Sequence, residues 1–265
     1  MASHRAKKRF GQNFLVDDSV IHSLVNAIGP QRDDRILEIG PGLGAMTLPL
    51  LARVNQLEVI EIDRDLIARW HARNLEQLTI HECDALRFDF RADVTVDTDA
   101  RPRRLVGNLP YNISTPLIFH VLEQADAVQD MHFMLQKEVV DRLCASCGDR
   151  QYGRLAVMVQ SRCQTQKLLE IPAESFSPAP KVTSAFVRLE PLSEPKVPDT
   201  IQDLFARLVQ QAFAQPRKTI ANNLREQLSA DALTKLEIDP GSRPQSISIE
   251  QLIRITQQLS NTAPD

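Results

Sequence analysis

Short apolar segments with the character of buried strands alternate with segments of helical periodicity between residues 35 and 135. The predicted strands are Arg35–Ile39, Leu57–Ile62, Leu78–His81, Arg104–Gly107 and Met131–Leu135. The predicted helices between them are Leu43–Arg53, Leu66–Leu75 and Thr115–Leu122. Because right-handed crossovers through such helices join parallel strands, the alternation predicts a doubly wound α/β domain with helices on both faces of the sheet.

The rest of the chain extends this domain and adds a helical region. A first helix, capped by Asp17 or Asp18, is expected to end at Gly29. The elements predicted after the alternation are helices Lys137–Ala145 and Arg154–Arg162, then strands Gln166–Ile171 and Val182–Leu189, which should pair antiparallel at the end of the sheet. A proline-rich linker at 191–198 is followed by predicted helices Ile201–Phe213, Ile220–Leu228, Ala230–Leu236 and Ile249–Leu259. We therefore predict two domains, residues 1–190 and an all-helical domain of residues 191–265.

The composition is that of an ordinary globular protein, since 43% of the 265 residues are hydrophobic and 25% are charged. No apolar run approaches the length that spans a bilayer, and the basic start is not followed by the apolar core of a signal segment. We therefore expect a cytoplasmic protein with no membrane partner. Cys144 and Cys147 form a CxxC without a second pair, so we expect no metal site.

The segment Glu38-Ile39-Gly40-Pro41-Gly42-Leu43-Gly44 joins the first predicted strand to its helix. Its glycines permit a tight turn and a close approach of backbone to a ligand at the crevice beyond the strand ends. The spacing also satisfies a dinucleotide fingerprint, and Glu61 after the second strand can bind the ribose of either kind of nucleotide. Asp84 after the third strand can accept from an adenine amino group, or can simply cap a helix. Acids in these positions favour S-adenosylmethionine, while NAD stays an alternative on spacing alone.

Asn108-Leu109-Pro110-Tyr111 follows the fourth predicted strand. The Asn108 side-chain oxygen and the carbonyl of Leu109 or Pro110 can accept the two hydrogens of an exocyclic amine, while Tyr111 stacks on the base. This arrangement suits chemistry at N6 of adenine, although a proline turn after a strand is the commoner meaning of such a motif. Phe176, in a proline-rich loop beside the sheet, is a candidate for a second stacking face, although a lone phenylalanine more often belongs to the core.

The formal net charge of −3 argues against a nucleic-acid partner, whereas the distribution of basic residues argues for one. The basic clusters are Arg5, Lys7, Lys8 and Arg9; Arg101, Arg103 and Arg104; and Arg217, Lys218 and Arg225. Each cluster alone is as consistent with a solvated surface as with phosphate binding. Three clusters around one predicted base pocket favour phosphate contacts.

Several motifs in one order resemble the KsgA/RsmA family of small-subunit rRNA adenine-N6,N6-dimethyltransferases, over nearly the whole chain. They are Lys8-Arg9-Phe10-Gly11-Gln12-Asn13-Phe14-Leu15, the glycine segment, Asn108 to Ser114, Tyr152-Gly153-Arg154-Leu155, Phe176-x-Pro-x-Pro-Lys181-Val-x-Ser184 and Arg217-Lys218-Thr219 with Asn222-Asn223-Leu224. The resemblance implies a Rossmann-like class I methyltransferase sheet with a small all-helical C-terminal domain. Pro216 departs from the family, which more often has a basic residue there.

The resemblance also implies a cofactor, a target and a set of contacts. The residues that would contact S-adenosyl-L-methionine are Asn13, Leu15, Gly40, Glu61, Asp84 and Asn108, with Glu38 oriented towards the methionine end. The implied target is a pair of adjacent adenosines near the 3′ end of 16S rRNA, methylated late in assembly of the small ribosomal subunit. We expect the enzyme to act as a monomer.

Two other enzyme classes share such a pocket: Erm-type 23S rRNA methyltransferases and DNA adenine methyltransferases. The helical C-terminal region and the N-terminal motif favour the small-subunit enzyme. A third alternative is an assembly checkpoint that binds rRNA without needing catalysis.

Overall fold

The computed structural model describes residues 12–92 and 101–262, in two compact units. The first unit comprises the chain up to Val140 together with Thr165–Pro191, and the second comprises Asp141–Gln164 together with the chain from Leu192 onward. Each unit has its own cluster of buried apolar side chains. No helix within the described ranges is both long enough and apolar enough to cross a membrane.

The second unit includes residues 141–164, which we had expected in the first domain. The side chains of Tyr152, Ala156 and Val157 are buried in one apolar cluster with Phe205 and Leu208 of the later helices. Burial of these side chains therefore joins the segment to the helical unit, although it precedes the last strands in sequence.

Nine strands and ten helices can be assigned in the described residues. The strands are β1 (Phe14–Leu15), β2 (Ile36–Ile39), β3 (Leu57–Ile60), β4 (Leu78–His81), β5 (Arg103–Asn108), β6 (Val128–Gln136), β7 (Cys163–Ile171), β8 (Phe176–Ser177) and β9 (Ser184–Pro191). The helices are α1 (Asp18–Ile28), α2 (Thr47–Leu51), α3 (Arg64–His71), α4 (Ser114–Leu122), α5 (Lys137–Leu143), α6 (Arg154–Gln160), α7 (Gln202–Ala212), α8 (Ile220–Leu224), α9 (Ala230–Lys235) and α10 (Ile249–Thr262).

Seven strands form the main sheet in the order β4-β3-β2-β5-β6-β9-β7. The pairs from β4 to β6 are parallel, and β9 runs antiparallel to β6. The doubly wound prediction is confirmed, and the two late strands lie together at one end of the sheet. The strand order reverses direction at β2, whose neighbours are β3 and β5, so the loops after these strands diverge and leave a crevice.

A separate two-stranded antiparallel ribbon joins β1 to β8. In its register Phe14 lies opposite Ser177, and Leu15 lies opposite Phe176. The ribbon holds the segment around Asn13 at a fixed place beside the sheet.

Helix α1 begins and ends as its sequence predicts. The Asp17 carboxylate accepts hydrogen bonds from the backbone N–H groups of Ser19 and Val20, and Gly29 ends the helix with a left-handed φ of 59°.

Helix α2 is shorter than the predicted helix Leu43–Arg53. The chain stays in a turn from the glycine segment to Met46, and the helix begins at Thr47. Gly44 has a φ of +100°, which is incompatible with a helix. A Cβ at this position would lie 2.8 Å from the Trp70 ring, so the turn also depends on the absence of a side chain.

Gly107 in β5 is expected to tolerate no side chain. A Cβ there would lie 2.7 Å from the Ile39 carbonyl oxygen of the neighbouring strand and 3.0 Å from the Leu109 side chain. Gly107→Ala must force β2 and β5 apart, so it should lower the free energy of unfolding by about 1–3 kcal/mol. Urea denaturation measures this change. The control is Gly153→Ala, whose added Cβ has no neighbour closer than 4.0 Å; equal losses for both variants would contradict the steric explanation.

Candidate active site

A cavity of about 220 Å³ lies beyond the carboxyl ends of β2, β3, β4 and β5. The segment that follows each of these strands contributes to its wall, together with the residues around β1. The sequence-predicted site residues found in this wall are Asn13, Leu15, Glu38, Gly40, Glu61, Asp84, Asn108, Leu109, Pro110 and Tyr111. The sheet therefore brings together side chains that are up to about a hundred positions apart in the sequence.

The glycine segment forms one wall of the cavity with its backbone. Gly40 and Gly42 have φ values of +71° and +57°, in the left-handed region that favours glycine. A Cβ on Gly42 would lie 3.2 Å from the Phe14 ring, and the Trp70 indole N–H donates to the Gly42 carbonyl at 3.1 Å. The Phe14 ring and the Trp70 indole therefore both contact the turn and fix its position. The backbone of the turn forms a narrow surface against which a ligand can bind.

Glu61 is buried at the end of β3, at 5% exposure. One carboxylate oxygen, Oε1, accepts hydrogen bonds from the backbone N–H groups of Ile62 and Asp63, both at 2.9 Å. Burial nevertheless raises the pKa of Glu61 above its usual range. A fixed, poorly hydrated carboxylate of this kind is a strong acceptor for the hydroxyls of a ribose.

Glu38 is the most buried acid of the cavity, at 1% exposure. Burial, with a contribution from the negative charge of Glu61, raises the pKa of Glu38 to about 7. Its Oε2 atom has no hydrogen-bond partner among the described residues. A buried carboxylate oxygen without a donor fits a ligand that brings a cationic group, such as the ammonium of a methionine moiety.

Asp84 caps a helix, as one interpretation of the sequence expects, and its adenine-binding role stays a prediction. Its Oδ1 atom accepts from the Leu86 backbone N–H at 3.0 Å and caps the short helix Ala85–Arg87. The residue also lines the cavity. Because the cap uses only Oδ1, the second carboxylate oxygen is available to an amino group of a ligand.

The amide of Asn108 is oriented by a backbone carbonyl. Its Nδ2 atom donates to the Asn13 carbonyl oxygen at 2.9 Å. A carbonyl can only accept, so the NH₂ side of the amide must face Asn13 and Oδ1 must face away. Asn108 therefore has an acceptor oxygen in the cavity wall, and its contact with a target amine stays a prediction.

The backbone after Asn108 distinguishes between the two candidate carbonyls. Leu109 N–H donates to the Met134 carbonyl at 3.2 Å, which fixes the loop to β6. The Pro110 carbonyl accepts from Ile113 N–H at 3.1 Å, in the turn that leads to α4. Since the Pro110 oxygen already serves this turn, the Leu109 carbonyl is the better second acceptor for an amine.

Tyr111 lines the cavity, and its hydroxyl lies 2.9 Å from Ser184 Oγ at the start of β9. No role for Ser184 was evident from the sequence, although this residue ends the motif that begins at Phe176. The same holds for Gln12, whose Nε2 donates to Asp63 Oδ2 at 3.1 Å and which lies in the cavity wall. Neither link has a local sequence signal, because the partners are 73 and 51 positions apart.

Phe176 does not lie where the sequence suggested. Its ring is 4% exposed and packs in the apolar core of the first unit, and the residue is not in the cavity wall. Pairing of β8 with β1 turns Phe176 inward, opposite Leu15. The structure therefore gives Phe176 a packing role beside the segment that carries Asn13.

The three basic clusters differ in whether the structure leaves their side chains exposed. Arg103 and Arg104 are buried, so their assignment to phosphate binding is wrong. Arg104 pairs with Asp34 at 2.7 Å and with Asp130 at 2.9 Å, and Arg103 donates to the Phe90 carbonyl at 2.8 Å. Arg217, Lys218 and Arg225 are exposed, as phosphate contacts require. The cluster of Arg5, Lys7, Lys8 and Arg9 lies outside the described residues.

The strand order and a cavity lined by acids at the ends of β2 and β3 and after β4 define the class: a methyltransferase with a Rossmann-like sheet that uses S-adenosyl-L-methionine. The model of one family, described as ribosomal RNA adenine dimethylase, matches residues 3–261. The chain belongs to the ribosomal RNA adenine dimethylase family, and it is an rRNA adenine methyltransferase.

Curated relatives match along nearly the whole chain. A protein of Chromohalobacter salexigens is 52% identical over 265 residues, which cover 99% of this chain and 94% of the relative. A protein of Dechloromonas aromatica is 50% identical over 261 residues, which cover 98% of this chain and all of the relative. Both are named ribosomal RNA small subunit methyltransferase A.

Solved structures share the fold. A dimethyladenosine transferase from Plasmodium falciparum superposes with a TM-score of 0.78 at 24% identity, covering 94% of this chain and 98% of its own. The 23S rRNA methyltransferase ErmE superposes with a TM-score of 0.71 at 24% identity, covering 94% and 100%. At this identity the likeness concerns the fold alone.

The buried Glu38 carboxylate should destabilise the protein without ligand at alkaline pH. Its raised pKa means that folding favours the protonated form, so stability is lost as pH rises from the unfolded value of 4.5 to about 7. Glu38→Gln should therefore raise the free energy of unfolding by about 3 kcal/mol at pH 8 and by little at pH 5. Urea denaturation at both pH values measures the difference. The exposed variant Glu76→Gln should match the wild type at both; an equal gain for Glu38→Gln at pH 5 would contradict the explanation.

Proposed function

We propose that this enzyme transfers methyl groups from S-adenosyl-L-methionine to N6 of two adjacent adenosines near the 3′ end of 16S rRNA, and so forms N6,N6-dimethyladenosine late in assembly of the small ribosomal subunit. The observation that carries this proposal is the Asn108 amide, oriented by the Asn13 carbonyl and followed by Leu109 and Tyr111 in the cavity wall. Support for the small subunit comes from the names of the full-length relatives. We expect the enzyme to act in the cytoplasm as a monomer.

Three acids would hold the methyl donor. Glu61 suits the ribose hydroxyls, Asp84 suits the adenine amino group through its second oxygen, and the unpartnered Oε2 of Glu38 suits the methionine ammonium. The backbone of Asn13, Leu15 and Gly40 completes the cradle. When bound, S-adenosyl-L-methionine supplies a methyl group on a positively charged sulfur.

The protein must improve a weak nucleophile, because the lone pair of the adenine N6 is delocalised into the ring. Asn108 Oδ1 and the Leu109 carbonyl would accept the two N–H groups. Two fixed acceptors would favour a pyramidal nitrogen and aim its lone pair in one direction. The contribution of the protein is thus orientation, supplied by two oxygens that are in place before the base arrives.

The remaining steps of methyl transfer require neither a general base before the transfer nor a metal. Methyl transfer makes the nitrogen cationic, and the proton then leaves easily, so no general base is required before transfer. Sulfur departs as a neutral thioether, so we expect no metal requirement.

An adenosine stacked within folded RNA cannot reach the cavity, so the target base has to be unstacked and turned out of its strand. Tyr111, half-buried in the cavity wall, would stack on the face of the inserted base.

The proposal is tested by offering the enzyme small ribosomal subunits, large ribosomal subunits and DNA, all from cells that lack it. We expect methyl groups labelled with tritium to appear in 16S rRNA, with N6,N6-dimethyladenosine identified by mass spectrometry of the product nucleosides. Label confined to 23S rRNA or DNA would overturn it. An Asn108→Ala protein that restored subunit assembly fully would make rRNA binding, and not methylation, the essential role.

Asn108→Ala removes one of the two acceptors and should lower kcat by about 10²–10³-fold, the scale found for loss of one preoriented polar partner. Single-turnover kinetics with small subunits measures the effect, and equilibrium binding of S-adenosyl-L-methionine reports any change in the cofactor site. Asn26→Ala is the control, since that residue is exposed on α1 and its side-chain oxygen accepts from the exposed Arg53. A loss of less than threefold for Asn108→Ala would remove the residue from the chemistry.

Lys218→Ala should weaken binding to rRNA and lower the slope of log K against log salt by about 1, because one phosphate contact is lost. The same is expected for Lys8→Ala. Filter binding at several salt concentrations measures the slope. Lys235→Ala, an exposed lysine at the end of α9, should leave it unchanged; unchanged slopes for Lys218 and Lys8 would assign those residues to plain solubility.

A further inference from the structure

We infer that Ser184 is a positioning residue for the second methyl transfer, which it serves by holding the Tyr111 ring. This inference rests on the proposed dimethylation. Among the described residues that line the cavity, Tyr111 is present and Ser184 is not; the Ser184 hydroxyl lies 2.9 Å from the Tyr111 hydroxyl.

The bond between the two hydroxyls crosses the sheet. Tyr111 follows β5, Ser184 begins β9, and β6 lies between these strands. The start of β9 is rigid, because Ser184 pairs with Gln136 in the antiparallel register and the Lys137 N–H donates to the Thr183 carbonyl at 2.9 Å. Ser184 is fully buried, so water does not compete for its hydroxyl. The Tyr111 hydroxyl is therefore held by a buried group at the start of a paired strand.

The hydrogen bond between the Tyr111 and Ser184 hydroxyls restricts the Tyr111 ring, which would otherwise rotate. Tyr111 is only half-buried, and a tyrosine held at its backbone alone can rotate about two side-chain bonds. Fixing the hydroxyl end as well leaves the ring in one orientation before the base arrives. Such preorganisation reduces the entropy lost when the base stacks.

The two methyl transfers depend on this ring to different degrees. In the first transfer the amine has two N–H groups, which Asn108 Oδ1 and the Leu109 carbonyl can both hold. A nitrogen–carbon bond forms, the sulfur–carbon bond breaks, and one proton leaves to solvent. The monomethylated amine has one N–H left, so one of the two hydrogen bonds is lost. In the second transfer, stacking on Tyr111 must supply a larger share of the orientation.

The experiment compares the rates of the two transfers in single turnovers with under-methylated small subunits, by mass spectrometry of N6-methyladenosine and N6,N6-dimethyladenosine over time. For Ser184→Ala and Tyr111→Phe, we expect the ratio of the first rate to the second to rise about 3–10-fold, the scale of one hydrogen bond. The double variant should show no further rise, because both changes remove the same bond. Ser161→Ala removes another buried serine hydroxyl, which donates to the Met158 carbonyl, and should leave the ratio unchanged.

Equal slowing of both transfers, or additive effects in the double variant, would overturn the inference and make Ser184 a purely structural residue. Tyr111→Phe keeps Ser184 in the core, so an unchanged ratio in that variant overturns the inference even if Ser184→Ala fails to fold. A wild-type enzyme that forms no N6,N6-dimethyladenosine would instead contradict the proposed function.

Discussion

The parallel pairing of β2 with β3 on one side and β5 on the other is the constraint on which the rest of the site depends. Carboxyl ends of parallel strands meet at one edge of a sheet, and a reversal of strand order at β2 opens that edge. Glu38, Glu61 and Asn108 occupy strand ends there without any local sequence relation to one another. Close approach of β5 to β2 at Gly107 then brings Asn108 within reach of the cavity and of the N-terminal segment.

Electrostatics in the cavity are organised for a ligand and not for the free protein. Burial raises the pKa values of Glu38 and Glu61, so the free protein holds two carboxylates in an environment that disfavours their charge. The arginines of β5 show the opposite arrangement, since Arg104 is buried between two carboxylates that match its charge. The fold thus supplies carboxylates that pair with Arg104. In the cavity, a cationic ligand is expected to supply the positive charge that favours ionised Glu38 and Glu61.

The sequence was sufficient to predict the doubly wound sheet, the places of its early strands along the chain and ten residues of the cavity wall. The sheet follows from local periodicity, and Glu61, Asp84 and Asn108 follow from the position of polar residues after strands. The roles of Asn13, Leu15, Glu38 and Gly40 came from the family resemblance. The errors concern partners that are distant in the sequence. Arg103 and Arg104 looked like phosphate ligands because their acidic and carbonyl partners belong to other elements. Phe176 looked like a stacking residue because the pairing of β8 with β1, which turns its ring inward, has no local signal.

The short ribbon of β1 and β8 couples two parts of the site through the length of one chain segment. Ser184 lies seven residues after the end of β8. One short stretch of backbone therefore supports both β1, next to Asn13, and the serine hydroxyl that contacts Tyr111. A deletion or insertion between residues 177 and 184 would shift one brace relative to the other. A change in the number of its residues should therefore disturb the Asn13 segment and the Tyr111 ring together.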